Sequence, residues 1–210
     1  MRNRTDIDIV FVAGAPGAGK TTVTEEYERR HSDTEQFGMG DYVTGIRNGT
    51  IDSDYAVPML QAVKDGVHVS GSIFSSIAEE RILRARPSTA TMMVTGFPHS
   101  HEDWDAFLKL VDGSGIRPIG SAVLDVDERT SITRMAQRDI RRGADPETVT
   151  SSESYLAYQK RYLGLMGRQA VRLDCYRQAG LEVISVFAQR PREEVFVDFS
   201  DAMSRFKEVI

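Results

Sequence analysis

The chain has 210 residues, of which 40% are hydrophobic and 27% are charged, a composition that is ordinary for a globular domain. Its formal net charge of -5 argues against a broadly basic surface for nucleic acid, so any cationic patch must be local. The single cysteine, Cys175, excludes an internal disulfide and favours a reducing compartment. No apolar run approaches the length of a membrane span, so we expect a cytoplasmic protein that binds neither nucleic acid nor membrane.

Short apolar segments alternate with helical patterns along the whole chain. We predict strands at residues 7–13, 34–37, 91–95, 118–124 and 183–187. We predict helices at residues 20–30, two shorter ones across 42–64, and further helices at 72–85, 102–111, 128–140, 146–178 and 193–206. This alternation predicts an α/β fold in which a five-stranded parallel sheet lies between helical layers, with ligands at the carboxyl ends of the strands.

The most specific motif follows the first predicted strand, where GAPGAGKT satisfies the pattern G-x-x-x-x-G-K-[ST] in full. In such a loop the backbone amides surround a phosphate, and the helix that follows points its positive end at the same group. Lys20 supplies a cation for the γ-phosphoryl group, and Thr21 offers a hydroxyl to Mg²⁺. We therefore expect the nucleoside triphosphate to be bound by Gly14, Ala15, Gly17, Ala18, Gly19, Lys20, Thr21 and Thr22.

A second feature is a row of arginines in the predicted helix 128–140. Arg134, Arg138 and Arg141 are spaced i, i+4 and i+7, so they share one helix face, and each is a fork-shaped donor for phosphate oxygens. The turn GADP follows, which suggests a short lid at residues 139–147 that closes over the transferring phosphate. The alternative is a solvated basic face whose arginines pair with Asp139 or Glu128.

These segments resemble, in order, the adenylate kinase family of nucleoside monophosphate kinases. GAPGAGKTT resembles that family's GxPGxGKGT, MGDYVTGIRNGT its TGDxLR helix start, and VTGFPHS its DGFPR turn. LDVDERTSITRMAQRDIRRGADPETV resembles its strand, arginine helix and short lid. The resemblance implies one domain over residues 1–210, with a P-loop three-layer αβα fold and a helical acceptor-binding insertion at residues 38–68. It also implies ATP and Mg²⁺ as cofactors.

The resemblance implies that the ATP side is intact. Arg134 and Arg138 match the arginine pair that contacts adenine and phosphates, and Arg141 matches the first arginine of the lid's return. Asp41 matches the aspartate of TGD, which in the family organises Mg²⁺ and its waters. We therefore expect Lys20, the three arginines and Asp41 to be catalytic, with Thr21 and Asp41 at the metal.

The acceptor side departs from the family pattern. Thr44 stands where the family has the TGDxLR arginine, and His99 stands where it has the FPR arginine. The family's arginine after the lid corresponds to Ser152 or, with a one-residue shift, to Glu153. Thr95 replaces the aspartate of DGFP. Each lost contact to phosphate is worth about 1.5–3 kcal/mol. We therefore expect an unusual acceptor, either an atypical nucleotide or a hydroxylated metabolite.

Two alternatives remain open at this point. A conventional nucleoside monophosphate kinase, acting on AMP, UMP or CMP, needs other arginines such as Arg47, Arg161 or Arg168 to replace the lost contacts. A non-catalytic ATP-binding switch has less need of the arginines that stabilise a transition state. The sequence does not distinguish ATP from GTP, or a monomer from a homodimer.

Several side chains are candidates for contact with the acceptor. His99 follows a predicted strand end, where it is able to hydrogen-bond a hydroxyl or accept its proton. Asp41 is the other candidate base, and Arg47 a candidate phosphate contact. Tyr42 and Tyr55 either stack on a base or sugar or pack in the core. The apolar residues of 155–166 recur at helical spacing, which favours a core seam over a dimer interface.

Overall fold

The computed structural model describes residues 7–51, 55, 57, 60, 61, 73, 76–78, 80, 81 and 84–208. Much of the helices predicted within 42–64 and 72–85, and much of the insertion predicted at 38–68, therefore lies outside the described residues. The lid predicted at 139–147 lies wholly within them.

The five predicted strands form one parallel sheet, as expected. The strands are β1 (Ile7–Gly14), β2 (Thr34–Gly38), β3 (Thr91–Thr95), β4 (Ile116–Asp125) and β5 (Val183–Phe187). Their order is β2-β3-β1-β4-β5, and every pairing is parallel. The register aligns Gly38 with Thr95 and Gly14 with Leu124, so the carboxyl ends of four strands meet at one edge of the sheet.

Seven helices with continuous bounds flank the sheet in the described part of the chain. They are α1 (Lys20–Arg30), α2 (Met39–Arg47), α3 (His101–Val111), α4 (Glu128–Arg141), α5 (Pro146–Val149), α6 (Ser152–Gln178) and α7 (Arg192–Glu208). The prediction for α1 is correct at both ends. None of the described helices has both the length and the apolar character that crossing a membrane requires.

Two cores cover the two faces of the sheet, which confirms the three-layer α/β architecture. On one face, the Phe11 ring stacks on Tyr176 of α6 at 4.8 Å between centroids and meets Trp104 of α3 edge-on at 5.3 Å. On the other face, Tyr27 of α1 and Phe199 of α7 are buried together, with their ring centroids 5.7 Å apart. Both faces of β1 are therefore inaccessible to water, as its continuous apolar sequence requires.

The long helix predicted at 146–178 is in fact two helices. Pro146–Val149 ends before Ser151, whose side chain accepts a hydrogen bond from the Ser154 amide at 3.2 Å and starts α6 at Ser152. A serine in this position stabilises a new helix N-terminus, which the apolar periodicity concealed. The core seam predicted along residues 155–166 is also largely wrong, because Leu156 is 62% and Leu163 is 59% exposed.

Phe11 lies at the centre of the aromatic core, so its removal tests the packing described above. We expect Phe11→Ala to lower the free energy of unfolding by about 3–5 kcal/mol, because a fully buried ring leaves a cavity that its neighbours cannot fill. Phe187→Ala is the matched control, since Phe187 is 50% exposed, and we expect it to cost less than about 1 kcal/mol. Urea unfolding measures both, and equal losses would contradict this account of the core.

Candidate active site

A cavity of about 740 Å³ opens at the edge of the sheet where β1, β2 and β3 end. The loop after β1, the start of α2, the turn after β3 and the cavity-facing sides of α4 and α6 line it together. In open parallel sheets this edge is where ligands bind, because loops from several strands converge there. The sequence motifs singled out above therefore meet at one place.

The loop between β1 and α1 depends on two glycines. Gly14 has φ +143°, and a Cβ there would lie 2.5 Å from the carbonyl oxygen of Leu124 in the neighbouring strand. Gly17 has φ +74°, and its Cβ would lie 3.0 Å from the carbonyl oxygen of Ser131 and 3.1 Å from the Cβ of Arg134. Any other residue would strain the loop or push α4 away from it. The loop and the arginine helix thus fit each other closely.

Lys20 begins α1 and is held over this loop. Its Nζ donates hydrogen bonds to the carbonyl oxygens of Gly14 at 2.8 Å and Ala15 at 2.9 Å. Burial, followed by the positive charges of Arg172 and Arg138, lowers the pKa of Lys20 to about 8. Anions near the ammonium group would relieve this repulsion, which makes Lys20 a favourable contact for phosphate oxygens.

Helix α4 is fastened to the loop by a residue that the motif analysis missed. The buried Ser131 hydroxyl donates to the carbonyl oxygen of Pro16 at 2.6 Å, and an Nη of Arg134 lies 3.4 Å from the carbonyl oxygen of Gly17. Arg134, Arg138 and Arg141 all line the cavity, so the predicted ladder faces the loop. In the sequence, the only indication that Ser131 contacts the loop is its position three residues before Arg134, on the same side of the helix.

The opposite wall of the cavity carries Asp41, Thr95, Gly96 and His99. Asp41 lies in the first turn of α2, and a Cβ at Gly38 would lie 2.5 Å from the Oδ2 of Asp41 and 3.0 Å from the Oγ1 of Thr95. A small residue at position 38 therefore lets the carboxylate and the hydroxyl stand close together at the strand ends.

His99 is held by the start of α3. Its backbone amide donates to the buried Asp103 carboxylate at 2.9 Å, and its ring Nδ1 lies 3.9 Å from the same oxygen. The side chain is 15% exposed and lines the cavity. His101, in contrast, faces away from the cavity toward Asp174, at 2.8 Å.

Helix α6 contributes arginines that the sequence analysis undervalued. Arg161, Arg168 and Arg172 line the cavity, whereas Ser152 and Glu153, the positions expected from the family pattern, lie in the first turn of α6 and do not. The three arginines are spaced i, i+7 and i+11, which places them on one face of α6. This spacing was visible in the sequence, but only the fold decides which face of α6 is turned to the cavity.

Some predicted site residues lie away from the cavity. Tyr42 is buried in the core, packs edge-on against Phe37 and donates to a carboxylate oxygen of Glu80 at 3.2 Å. Arg47 is exposed at the end of α2 and does not line the cavity. Tyr55 is half-buried against the same core as Tyr42. The structure therefore brings Asp41 and His99, but not these three residues, to the cavity wall.

The end of the cavity beside α7 is lined by Ala188, Arg190, Arg192, Val195 and Phe196, together with Glu26 of α1. Arg190 pairs with Asp198, and Arg192 lies 3.6 Å from Glu26. These residues offer an apolar surface bordered by guanidinium groups, which suits a planar nucleobase.

The oxygen atoms that line the cavity suit Mg²⁺ better than a metal whose ligands all come from protein side chains. Thr21 and Asp41 both line the cavity, and they supply the oxygen ligands that Mg²⁺ prefers. Among the described residues no group of three or more His, Cys, Asp or Glu side chains converges on a metal position. Mg²⁺ is commonly held by one or two protein oxygens and by substrate phosphates, so this sparse set is sufficient.

The lowered pKa of Lys20 predicts a pH dependence of ATP binding. Because phosphate favours the charged amine, we expect the protein to take up protons on binding ATP near pH 8, and its affinity to fall as the pH rises above the free-state pKa of about 8. Calorimetry in buffers of different ionisation enthalpy measures the uptake. In a Lys20→Arg variant the side chain stays charged, so proton uptake should disappear. Unchanged uptake in that variant would assign the proton to another group.

Comparison with known proteins adds a separate line of evidence. No protein-family model matches the chain. The sequence is similar to adenylate kinases from Brucella ovis and Brucella canis, each 29% identical over 189 residues, which cover 89% of this chain and 93% of the relative. An adenylate kinase from Brucella abortus is 28% identical over the same shares. The similarity therefore spans nearly the whole chain, well beyond the phosphate-binding motif.

Proposed function

Given that the chain is related to the adenylate kinase family of nucleoside monophosphate kinases, we propose that it is an ATP-dependent phosphotransferase acting on a small-molecule acceptor. The observation that carries the proposal is a single cavity lined by Lys20 and its loop, by the α4 arginines, and by Asp41 and His99 on the opposite wall. Donor and acceptor groups then meet between these walls, at the carboxyl ends of the strands.

On the donor side, the loop amides and Lys20 would bind the β- and γ-phosphates, with Arg134, Arg138 and Arg141 on the γ-phosphoryl group. Catalysis is then mainly positioning and neutralisation of charge, because the phosphoryl group needs little covalent help from the protein. An acceptor oxygen attacks the γ-phosphorus, the bond to the β-γ bridging oxygen breaks, and ADP leaves. Mg²⁺, held by Thr21 and Asp41, would neutralise charge on the phosphates. Closure of the segment at 139–147 would exclude water from the transfer.

On the acceptor side, the position of His99 beside Asp103 suits a hydrogen bond to the acceptor. If the nucleophile is a hydroxyl, its proton passes to Asp41 or His99, the two side chains able to accept one on this wall. If the nucleophile is a phosphate oxygen, no base is needed. We propose an atypical nucleotide or a hydroxylated metabolite as the acceptor, because Thr44, Thr95 and His99 stand where the family pattern has charged residues.

A conventional nucleoside monophosphate kinase is the second candidate, and one observation favours it. Arg161 and Arg168 line the cavity, so cations are available to replace the family's arginines, which are absent from this chain at Thr44 and His99. The relatives from Brucella ovis and Brucella abortus are also adenylate kinases. A non-catalytic ATP-binding switch receives less support, since arginines on the γ-phosphate side serve transfer more than binding.

An acceptor screen tests the proposed reaction. The protein is incubated with ATP, Mg²⁺ and a panel of nucleoside monophosphates, nucleosides, sugars and aminocyclitols, and acceptor-dependent ADP formation is followed. We expect ADP from at least one acceptor. Turnover of AMP or CMP at about 10 s⁻¹ or faster, the usual range for kinases, would replace the atypical acceptor by the conventional one. Tight ATP binding without ADP from any compound would instead support the switch.

The donor assignment is tested by substitution. We expect Lys20→Ala to lower kcat by at least about 100-fold, because a cation on the γ-phosphoryl group is lost in the transition state. Lys207→Ala is the matched control, since Lys207 lies on α7 away from the cavity, and it should keep full activity. Full activity in Lys20→Ala would contradict the assignment of the loop as the donor site.

A further inference from the structure

The acceptor half of the cavity contains a cationic site on one face of α6. We propose that Arg168 and Arg172 bind a phosphate monoester group of the acceptor, taking over the task that loop arginines perform in the family pattern. This proposal rests on the proposed phosphotransferase function and names the substrate class of the same site. The residues that it assigns to the phosphate lie far in sequence from Thr44 and His99, the positions at which this chain lacks the family's arginines.

Arg172 is the fixed member of this pair. Its side chain is buried, with the residue 6% exposed, and its Nε donates to the carbonyl oxygen of Pro98 at 2.7 Å. One Nη donates to the carbonyl oxygen of Gly96 at 3.2 Å, and the residue also lines the cavity. Within the described residues, the second Nη of Arg172 makes no hydrogen bond. The guanidinium is thus oriented by two carbonyls, with donor capacity left for a ligand.

The turn that Arg172 holds is the one that carries His99. One helical turn further along α6, the buried Tyr176 hydroxyl donates to the carbonyl oxygen of Phe97 at 2.5 Å. Three successive carbonyls, of Gly96, Phe97 and Pro98, are therefore bound by α6. The helix and the His99 turn form one rigid wall, on which a bound anion and the histidine have a fixed relation.

Arg168 is the exposed member of the pair. It lies four residues before Arg172, on the same face of α6, and it also lines the cavity. Neither arginine forms an ion pair with any side chain in the described part of the chain, unlike Arg190 and Arg192 at the α7 end. Burial lowers the pKa of Arg172, and the neighbouring charge of Arg168 lowers it further, with the Asp103 carboxylate acting in the opposite direction. A bound anion would therefore stabilise both guanidiniums.

The balance of charge favours a dianion over a neutral acceptor. Among the described residues, nine lysine and arginine side chains line the cavity against two carboxylates, those of Glu26 and Asp41. We assign the donor phosphates to Lys20 and the α4 arginines, and the acceptor to Arg168 and Arg172. Arg172 is near enough to Lys20 for its charge to lower the pKa of Lys20, after the larger effect of burial, so the two groups are neighbours in the cavity. A phosphate monoester carries about two negative charges and three acceptor oxygens, which match two forked donors better than one carboxylate does.

Binding measurements with matched probes test the proposal. Wild-type protein is first saturated with a non-hydrolysable ATP analogue and Mg²⁺. It is then titrated calorimetrically with AMP, CMP, ribose 5-phosphate and glycerol 3-phosphate. Adenosine, cytidine, ribose and glycerol are the unphosphorylated partners, and malate is the carboxylate probe. We expect at least one phosphate ester to bind about 100-fold more tightly than its unphosphorylated partner and than malate.

Substitution then assigns the binding to the pair. We expect Arg168→Gln and Arg172→Gln each to weaken the binding of that phosphate ester by about 10- to 100-fold. The affinity of each variant for the ATP analogue should stay within about threefold of the wild-type value. Arg177→Gln is the matched control, because Arg177 is exposed on α6 outside the cavity, and it should change neither affinity. Arg168 is exposed, so its variant should fold normally even if loss of the buried Arg172 disturbs the turn.

The outcomes separate this proposal from the proposed function. If the ATP analogue fails to bind wild type, or if no acceptor yields ADP, phosphotransfer is contradicted. The same phosphate titrations, carried out on the free protein where the analogue does not bind, still measure the α6 site. Equal binding of an unphosphorylated partner or of malate would overturn the phosphate assignment. The assignment would also be overturned if Arg168→Gln lost affinity for the ATP analogue but kept its affinity for the phosphate ester, because Arg168 would then contact the phosphate donor.

Discussion

The parallel pairing of β1 with β3 on one side and β4 on the other is the constraint on which the rest of the structure depends. Because β1 pairs in parallel with both neighbours, the chain cannot turn straight back at its carboxyl end and needs a crossover connection, which here begins with α1. The register of β1 with β4 places Gly14 against Leu124, and the turn that follows leads into α1. The shape of the glycine-rich loop between β1 and α1 thus depends on where β1 lies, as well as on its glycines.

Helix α6 connects the hydrophobic core to the chemistry of the cavity. Near its end, Tyr176 and Cys175 are completely buried, and the Tyr176 ring stacks on Phe11. Burial raises the pKa of the Cys175 thiol to about 11, so this cysteine is a packing residue. The same stretch of helix carries Arg172 to the turn after β3. Packing against β1 therefore fixes the position of an arginine at the cavity.

The cavity concentrates positive charge in a protein whose net charge is negative. Such a cluster is unfavourable in isolation, and the charges of Arg172 and Arg138 add to burial in lowering the pKa of Lys20. The fold tolerates it because the arginines are held by backbone carbonyls, as for Arg134 and Arg172, or by nearby carboxylates, as for Arg138 and Arg190. An overall acidic chain with one cationic cavity suits small anionic ligands.

The sequence by itself determined the five strands, the glycine-rich loop between β1 and α1, and the shared face of Arg134, Arg138 and Arg141, because local periodicity and a specific motif encode each of them. It did not locate the break at Ser151, since a capping serine is a weak signal within a long apolar pattern. Only the tertiary structure decided that Tyr42 packs in the core and that the arginine face of α6 lines the cavity. Both outcomes depend on contacts between elements far apart in the chain, and such contacts have no periodicity in the sequence.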